Sequence, residues 1–202
     1  MSPDSEWHRS SEMLTVGRSC LVVIDVQERL LPSIPQGNLI VHNIRFLLEA
    51  AAILGVHSIL TEQYPKGLGR SVEELGSYRV SLPRLEKLRF SAGEVLNGAG
   101  VLPVLGEGVT PQIILTGIET HICVQQTALD LLSRGYAVYI ASDAVGSRNS
   151  ADHAVAISRM LQAGVKITSS EAIAFEWCEK AGTEQFKALS RLVKDKDSLT
   201  KL

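Results

Sequence analysis

One cysteine of this chain is placed for covalent chemistry. Cys123 follows an apolar run that ends at Gly117, and it lies in the first turn of a helix predicted over residues 120–134. Free backbone N–H groups and the positive end of the helix dipole favour the thiolate at such a position. The position therefore predicts a nucleophilic thiol, with a buried structural cysteine as the alternative.

Two charged residues could serve this thiol. Asp25 follows the apolar run 20–24, and Lys87 lies in a segment of mixed periodicity at 84–90. In parallel sheets, ligands bind at the carboxyl ends of the strands where the strand order reverses, and the strands before Asp25 and Cys123 are neighbours in the commonest order. We therefore expect a carboxylate, an ammonium and a thiol to share one crevice. Taken singly, Asp25 could be a turn cap and Lys87 a solvated charge.

Alternating strand and helix patterns predict the elements that position these residues. The predicted strands cover residues 20–24, 57–61, 84–90, 112–115, 136–141 and 165–168. The predicted helices cover residues 38–54, 120–134, 149–162, 171–180 and 183–193, with Asn38 capping the first. A short helix and a glycine-broken turn are predicted between residues 95 and 108. The pattern indicates a three-layer α/β/α sandwich with a mostly parallel, doubly wound sheet.

Composition and charge limit the number of domains and the kinds of partner that we expect. The 202 residues are 45% hydrophobic, enough for a single domain, which we place at 18–195 between a surface lead-in at 1–17 and a solvated charged tail at 196–202. A net charge of -2 provides no attraction for nucleic acid or an anionic membrane, and neither partner is expected. The 3 cysteines show no metal spacing, which favours a reducing, cytoplasmic setting.

A dinucleotide-binding domain has the same alternation of strands and helices. Its phosphate-binding turn needs glycines directly after the first strand, where this chain has Asp25 and then Val26-Gln27. The pair Gly67 and Gly69 lies in a long loop with no third glycine. A nicotinamide-dependent dehydrogenase is therefore the weaker interpretation.

The chain contains three separated motifs, Val22-Val23-Ile24-Asp25-Val26-Gln27, Glu86-Lys87-Leu88-Arg89-Phe90-Ser91-Ala92 and Thr116-Gly117-Ile118-Glu119-Thr120-His121-Ile122-Cys123. In their order and approximate separation, they resemble the motifs of the isochorismatase-like cysteine hydrolases. The resemblance covers about residues 18–170. The loops at 61–69 and 142–148 look most like those of the isochorismatase domain-containing proteins.

The resemblance implies a catalytic triad of Asp25, Lys87 and Cys123. It also implies a cis peptide between Ile118 and Glu119, and an oxyanion hole made by the backbone N–H groups of Glu119 and Cys123. Nicotinamidases of this family carry metal-binding histidines after the second strand, but residues 62–65 contain none, and the isochorismatases of siderophore pathways lack the cysteine. We therefore predict a metal-independent hydrolase without a cofactor, which cleaves C–N bonds of a small amide or carbamoyl compound through a thioester.

Five side chains are predicted to line the substrate pocket, namely Gln27, Tyr64, Leu68, Phe90 and His121. His121 is assigned to the wall and not to a base, because residues two apart at a helix start point in different directions. Family precedent favours a homo-oligomer. The alternative function is an oligomeric interaction protein that keeps the hydrolase fold with little turnover.

Overall fold

The computed structural model describes residues 8–75, 82–104 and 110–199, and it contains a six-stranded sheet. The strands are β1 (Ser19–Ile24), β2 (His57–Gln63), β3 (Arg84–Lys87), β4 (Gln112–Ile118), β5 (Ala137–Gly146) and β6 (Lys166–Thr168). Their order is β3-β2-β1-β4-β5-β6, and every neighbouring pair is parallel. The predicted doubly wound α/β fold is confirmed, with β1 and β4 adjacent at the point where the order reverses.

Helices cover both faces of the sheet. They are α1 (Gly37–Leu54), α2 (Pro65–Leu68), α3 (Gly93–Gly98), α4 (Gln125–Ser133), α5 (Ser150–Gln162), α6 (Ser170–Cys178) and α7 (Glu184–Leu199). On one face α1 packs against α6 and α7, and on the other α4 packs against α3 and α5. The sheet therefore lies between two helical layers, as expected for a three-layer sandwich.

Strand β1 shows why the apolar runs form central strands. All of its residues are buried. Leu21 and Val23 join the hydrophobic cluster under α1, while Cys20, Val22 and Ile24 join the cluster under α4. Successive side chains of a strand point to opposite faces, so a strand that is covered on both faces must be apolar throughout.

Helix α1 is the longest element of its layer. By length and mean hydropathy alone it could cross a membrane, but 56% of that stretch is buried inside the fold. Ile44 and Leu47 are fully buried in the cluster between α1 and the sheet. Its apolar surface is therefore used by the protein's own core.

Several boundaries differ from the sequence predictions. Helix α1 begins one residue earlier than predicted, and Gln36, with a φ of 57°, occupies the cap position assigned to Asn38. Strand β5 continues to Gly146 because the pairing of β4 with β5 resumes after a register shift between Leu115 and Gly117. The predicted turn before residue 108 extends beyond the described residues. Such boundaries depend on tertiary pairing, which local patterns do not encode.

The two ends of the chain pack more closely than the sequence suggested. Leu14, in the predicted lead-in, is fully buried, and its backbone N–H donates to the Glu176 carboxylate over 2.8 Å. The prediction of a solvated tail is wrong for Lys196, whose side chain is only 12% exposed. Its ammonium donates to Ser170 Oγ over 2.8 Å and lies 4.4 Å from the centre of the Phe46 ring. Residues 1–7 and 200–202 lie outside the described residues.

Candidate active site

The carboxyl ends of β1, β3 and β4 bring together the three residues predicted to act as a triad. Lys87 Nζ donates to Asp25 Oδ2 over 2.6 Å, although the two residues are 62 positions apart. Neither side chain is more than 1% exposed. The Cys123 thiol is also buried, and its pKa is raised by that burial and by the neighbouring Asp25 carboxylate. A thiol, a carboxylate and a lysine therefore lie together in one buried cluster.

Asp25 has an unusual backbone conformation directly after β1. Its φ is 51°, in the left-handed region that aspartate tolerates better than most residues. The Asp25 N–H donates to the Thr61 carbonyl over 3.2 Å, and the Thr61 hydroxyl donates to Asp25 Oδ1 over 2.7 Å. Strand β2 thus holds both the backbone and the carboxylate of Asp25.

Acceptors surround the Lys87 side chain. Besides Asp25, Nζ donates to Gln63 Oε1 over 2.7 Å and to the Phe90 carbonyl over 2.8 Å, with the Arg89 carbonyl at 3.3 Å. An ammonium has only donors, so this environment matches a charged lysine. The segment after β3 therefore folds back around the lysine, which fixes its charge beside Asp25.

Cys123 lies in a π-helical turn, Thr120–Val124, that precedes α4. Burial raises the pKa of the thiol well above its ordinary value, and the negative charge of Asp25 raises it further. The Lys87 charge and a hydrogen bond from the Glu119 N–H oppose this rise in pKa without cancelling it. This direction is opposite to the effect expected of a helix start on the thiol pKa, because desolvation outweighs the helix dipole. Near neutral pH, Cys123 is therefore a thiol beside a carboxylate.

Gly117 brings the end of β4 against the end of β1. Its φ is 109°, and a Cβ atom here would lie 2.0 Å from the Ile24 carbonyl oxygen. Only glycine permits both the conformation and this approach. The peptide bond between Ile118 and Glu119 is cis, at the position that the family resemblance implies. The chain then enters the turn that carries Cys123.

The side chain of Glu119 points away from the thiol. Its carboxylate accepts from the Arg148 N–H over 3.0 Å and lies 3.5 Å from Arg148 Nε, so Arg148 forms an ion pair within the protein. His121 Nδ1 is 3.0 Å from Ser147 Oγ. The imidazole of His121 therefore contacts Ser147, and its role as a wall residue stays a prediction.

Gln27, predicted to line the pocket, instead fastens the loop after β2. It is fully buried, its Oε1 accepts from Gln63 N over 2.7 Å, and its Nε2 donates to the carbonyls of Gln63 and Gly69. The buried Glu62 accepts from the N–H and hydroxyl of Ser71, each over 2.8 Å. Arg70 Nη1 lies 2.9 Å from Glu62 Oε2. Both amide hydrogens of Gln27 and one acceptor position of its oxygen are thus used by the protein.

The remaining predicted pocket residues lie towards the surface. Tyr64 and Phe90 are 50% and 53% exposed, and Leu68 is half-buried. The Tyr64 N–H donates to the carbonyl of Lys87, at the end of β3, over 2.8 Å. These three side chains reach the surface, whereas Cys123 is buried.

Sequence reasoning missed Thr61 and Gln63, which contact Asp25 and Lys87. Both lie in β2 and are buried, and a polar pair at alternate positions near the end of an apolar strand was the available signal. Within residues 8–75, 82–104 and 110–199, no group of His, Cys, Asp and Glu side chains could hold a metal ion.

Comparison with known proteins places this site in a family. The family model described as the Isochorismatase domain matches residues 19–172. The chain belongs to the isochorismatase family. Isochorismatase domain-containing protein 2 from Danio rerio is a relative with 38% identity over 180 residues, which cover 89% of each chain.

Solved structures of the family share the fold. A structure of the MAR1 ribonuclease from Caenorhabditis elegans has a TM-score of 0.80 at 35% identity, and the match covers 90% of this chain and 92% of that one. The Escherichia coli YcaC gene product, described as an octameric hydrolase of unknown specificity, has a TM-score of 0.79 at 22% identity, with coverage of 96% and 97%. This chain therefore has the isochorismatase-like hydrolase fold.

Proposed function

We propose that the protein is a metal-independent cysteine hydrolase that cleaves C–N bonds of a small amide or carbamoyl compound through a thioester. The observation that carries this proposal is the buried contact of the Cys123 thiol with Asp25, which is itself 2.6 Å from Lys87 Nζ. A nucleophile, a base and an oriented charge within hydrogen-bonding reach are the usual parts of covalent hydrolysis.

The first half of the reaction transfers the acyl group to sulfur. Asp25 takes the thiol proton as Cys123 Sγ attacks the substrate carbonyl carbon, and the carbonyl oxygen becomes an oxyanion. Backbone N–H groups of Glu119 and Cys123 stabilise that charge. When the tetrahedral intermediate collapses, the C–N bond breaks and Asp25 returns the proton to the leaving nitrogen, which departs as an amine or ammonia.

The second half of the reaction regenerates the thiol. Asp25 takes a proton from a water molecule, which attacks the thioester carbonyl carbon, and the same N–H groups stabilise the second oxyanion. The C–S bond then breaks, the carboxylic acid leaves, and the proton returns to sulfur. Both halves use one carboxylate as base and then as acid.

Lys87 fits an electrostatic role in this scheme. Its ammonium lies beside the Asp25 carboxylate and lowers the cost of forming a thiolate at Cys123, whose pKa is raised by burial. A resting thiol that ionises only during attack also avoids unwanted oxidation, because the thiolate is the reactive form.

The decisive experiment is intact-mass analysis of the purified protein after rapid mixing with a panel of primary amides and N-carbamoyl compounds. We expect a transient mass increase equal to the acyl group, which peptide mapping assigns to Cys123. The Cys123→Ala protein is the matched control and should form no adduct. Steady amide hydrolysis by the alanine protein at the wild-type rate would exclude this nucleophile.

The same panel separates the alternative functions. An inert thiol throughout the panel would favour an oligomeric interaction protein that keeps the hydrolase fold. An RNA oligonucleotide belongs in the panel, because the C. elegans relative is named as a ribonuclease. RNA cleavage that survives the Cys123→Ala substitution would point to a different site. We also propose a cytoplasmic homo-oligomer, which light scattering and cell fractionation test.

A further inference from the structure

Building on the proposed cysteine chemistry, we propose that Thr61 is a positioning residue that orients the Asp25 carboxylate towards the Cys123 thiol. Thr61 lies near the end of β2 and is 1% exposed. Its hydroxyl donates to Asp25 Oδ1 over 2.7 Å. The Thr61 side chain is uncharged, so its role is inferred from its hydrogen bonds alone.

Thr61 holds Asp25 at two points. Its carbonyl accepts from the Asp25 N–H over 3.2 Å, and its hydroxyl holds the carboxylate. The first contact supports a backbone with a φ of 51°, which few residues adopt without support from the surrounding structure. The second fixes the rotation of the carboxylate. Together they determine where Asp25 can accept a proton.

The two carboxylate oxygens of Asp25 have different donors. Thr61 donates to Oδ1, and Lys87 donates to Oδ2. An ionised carboxylate has about four acceptor positions, so two donors leave positions for the Cys123 thiol. Without the hydroxyl, the carboxylate is free to rotate about its last torsion towards the ammonium. The thiol then loses the alignment that proton transfer requires.

Strand β2 aligns the lysine in the same way. Gln63 lies two residues after Thr61, so both side chains point to one face of the strand. The Gln63 Oε1 atom accepts from Lys87 Nζ over 2.7 Å. Because β2 lies between β1 and β3, it contacts the acid on one side and the lysine on the other.

The hydroxyl and the shape of the side chain can be separated by substitution. A threonine that acts only through packing would tolerate valine, which has the same shape, better than serine, which keeps the hydroxyl.

The test is the acylation of Cys123 by p-nitrophenyl acetate, followed by p-nitrophenolate release and intact mass across a range of pH. In Thr61→Val, acylation should slow by roughly tenfold to a hundredfold, the effect of losing a hydrogen bond to a charged group. Thr61→Ser keeps the hydroxyl and should regain the wild-type rate.

Thr116→Val is the matched control, because Thr116 is a fully buried strand threonine whose hydroxyl only meets the Val22 carbonyl at 3.5 Å. It should acylate like the wild type. An unchanged rate in Thr61→Val, or a serine variant as slow as the valine variant, would overturn the role of Thr61 while leaving the hydrolase intact. Absence of wild-type acylation would overturn the proposed chemistry and this role with it. Thr61→Ala is the second variant if valine prevents folding.

Discussion

Two cysteines on the same side of the sheet show how position decides chemistry. Cys20 and Cys123 are both buried in the cluster under α4. Burial raises the pKa of Cys20 to about 12, and burial is the only cause. Burial also raises the pKa of Cys123, but Asp25, Lys87 and the Glu119 N–H act on it as well. The two thiols differ in their partners and not in their exposure.

The partners differ because the two sulfurs lie at opposite ends of the strands. Cys20 is near the start of β1, where it pairs in register with His57 and Ile113. Cys123 lies past the end of β4, where the ends of β1 and β3 supply charged groups. In open parallel sheets, ligands bind beyond the carboxyl ends of the strands. A buried thiol is therefore inert at one edge and equipped for acid-base chemistry at the other.

Substitution of each cysteine tests this difference most strongly. We expect Cys123→Ala to reduce amide hydrolysis at least about a thousandfold, because the nucleophile is lost. Cys20→Ala should retain hydrolysis within about twofold and lower the free energy of unfolding by about 1 to 2 kcal/mol, the cost of a small cavity. Initial rates and urea unfolding measure the two effects. Comparable loss of activity in both variants would remove the distinction.

Gly117 tests whether the approach of β4 to β1 builds the site. A Cβ at this position would lie 2.0 Å from the Ile24 carbonyl oxygen, and the φ is 109°. We expect Gly117→Ala to lower the free energy of unfolding by about 2 to 4 kcal/mol and to abolish acylation of Cys123.

The control for this substitution is Gly98→Ala, since a Cβ at Gly98 meets nothing within 4 Å. Replacing this glycine at the end of α3 should stabilise the protein by about 0.5 kcal/mol. Equal stability of the two alanine variants would show that β4 can shift without cost. Urea unfolding followed by circular dichroism makes the comparison.

Asp25 should have opposite effects on two reactions of the same thiol. Its negative charge raises the pKa of Cys123, so Asp25→Asn should lower that pKa and enlarge the thiolate fraction near pH 8. Alkylation of Cys123 by iodoacetamide should become about tenfold faster, as expected if the pKa of the thiol falls by about one unit. Amide hydrolysis should fall sharply, because the base is gone.

Mass spectrometry of tryptic peptides measures the alkylation rate of each cysteine. Cys20 is the internal control, because burial alone raises its pKa and its alkylation should therefore be the same in both proteins. Slower alkylation of Cys123 in Asp25→Asn would mean that the carboxylate assists ionisation of the resting thiol. A stable fold of the variant is checked by circular dichroism.

We expect the smallest effect from substitution of Cys178. It is partly exposed at the end of α6, and its thiol only meets the Lys180 carbonyl at 3.7 Å. We expect Cys178→Ser to change the free energy of unfolding by less than about 0.5 kcal/mol and to leave hydrolysis unchanged. A marked loss of activity in Cys178→Ser would mean that a third cysteine contributes to hydrolysis.

Local patterns were sufficient to predict much of this fold. Apolar runs such as residues 20–24 and 112–115 form the central strands, because strands covered on both faces exclude polar residues. Boundaries were less predictable. The extension of β5 to Gly146 arises from how β4 and β5 pair, and this pairing lies outside any local window. The π-helical turn at Cys123 was predicted only as the start of a helix.

By itself, the sequence determined the α/β alternation and the residue types Asp25, Lys87 and Cys123, since hydropathy and side-chain chemistry are local properties. Tertiary structure alone decided that Lys87 Nζ lies 2.6 Å from Asp25, that Thr61 and Gln63 hold them, and that Gln27 fastens a loop. It also reversed the expected direction of the pKa of Cys123. Desolvation and through-space charge depend on which distant strands become neighbours, and only folding establishes those neighbours.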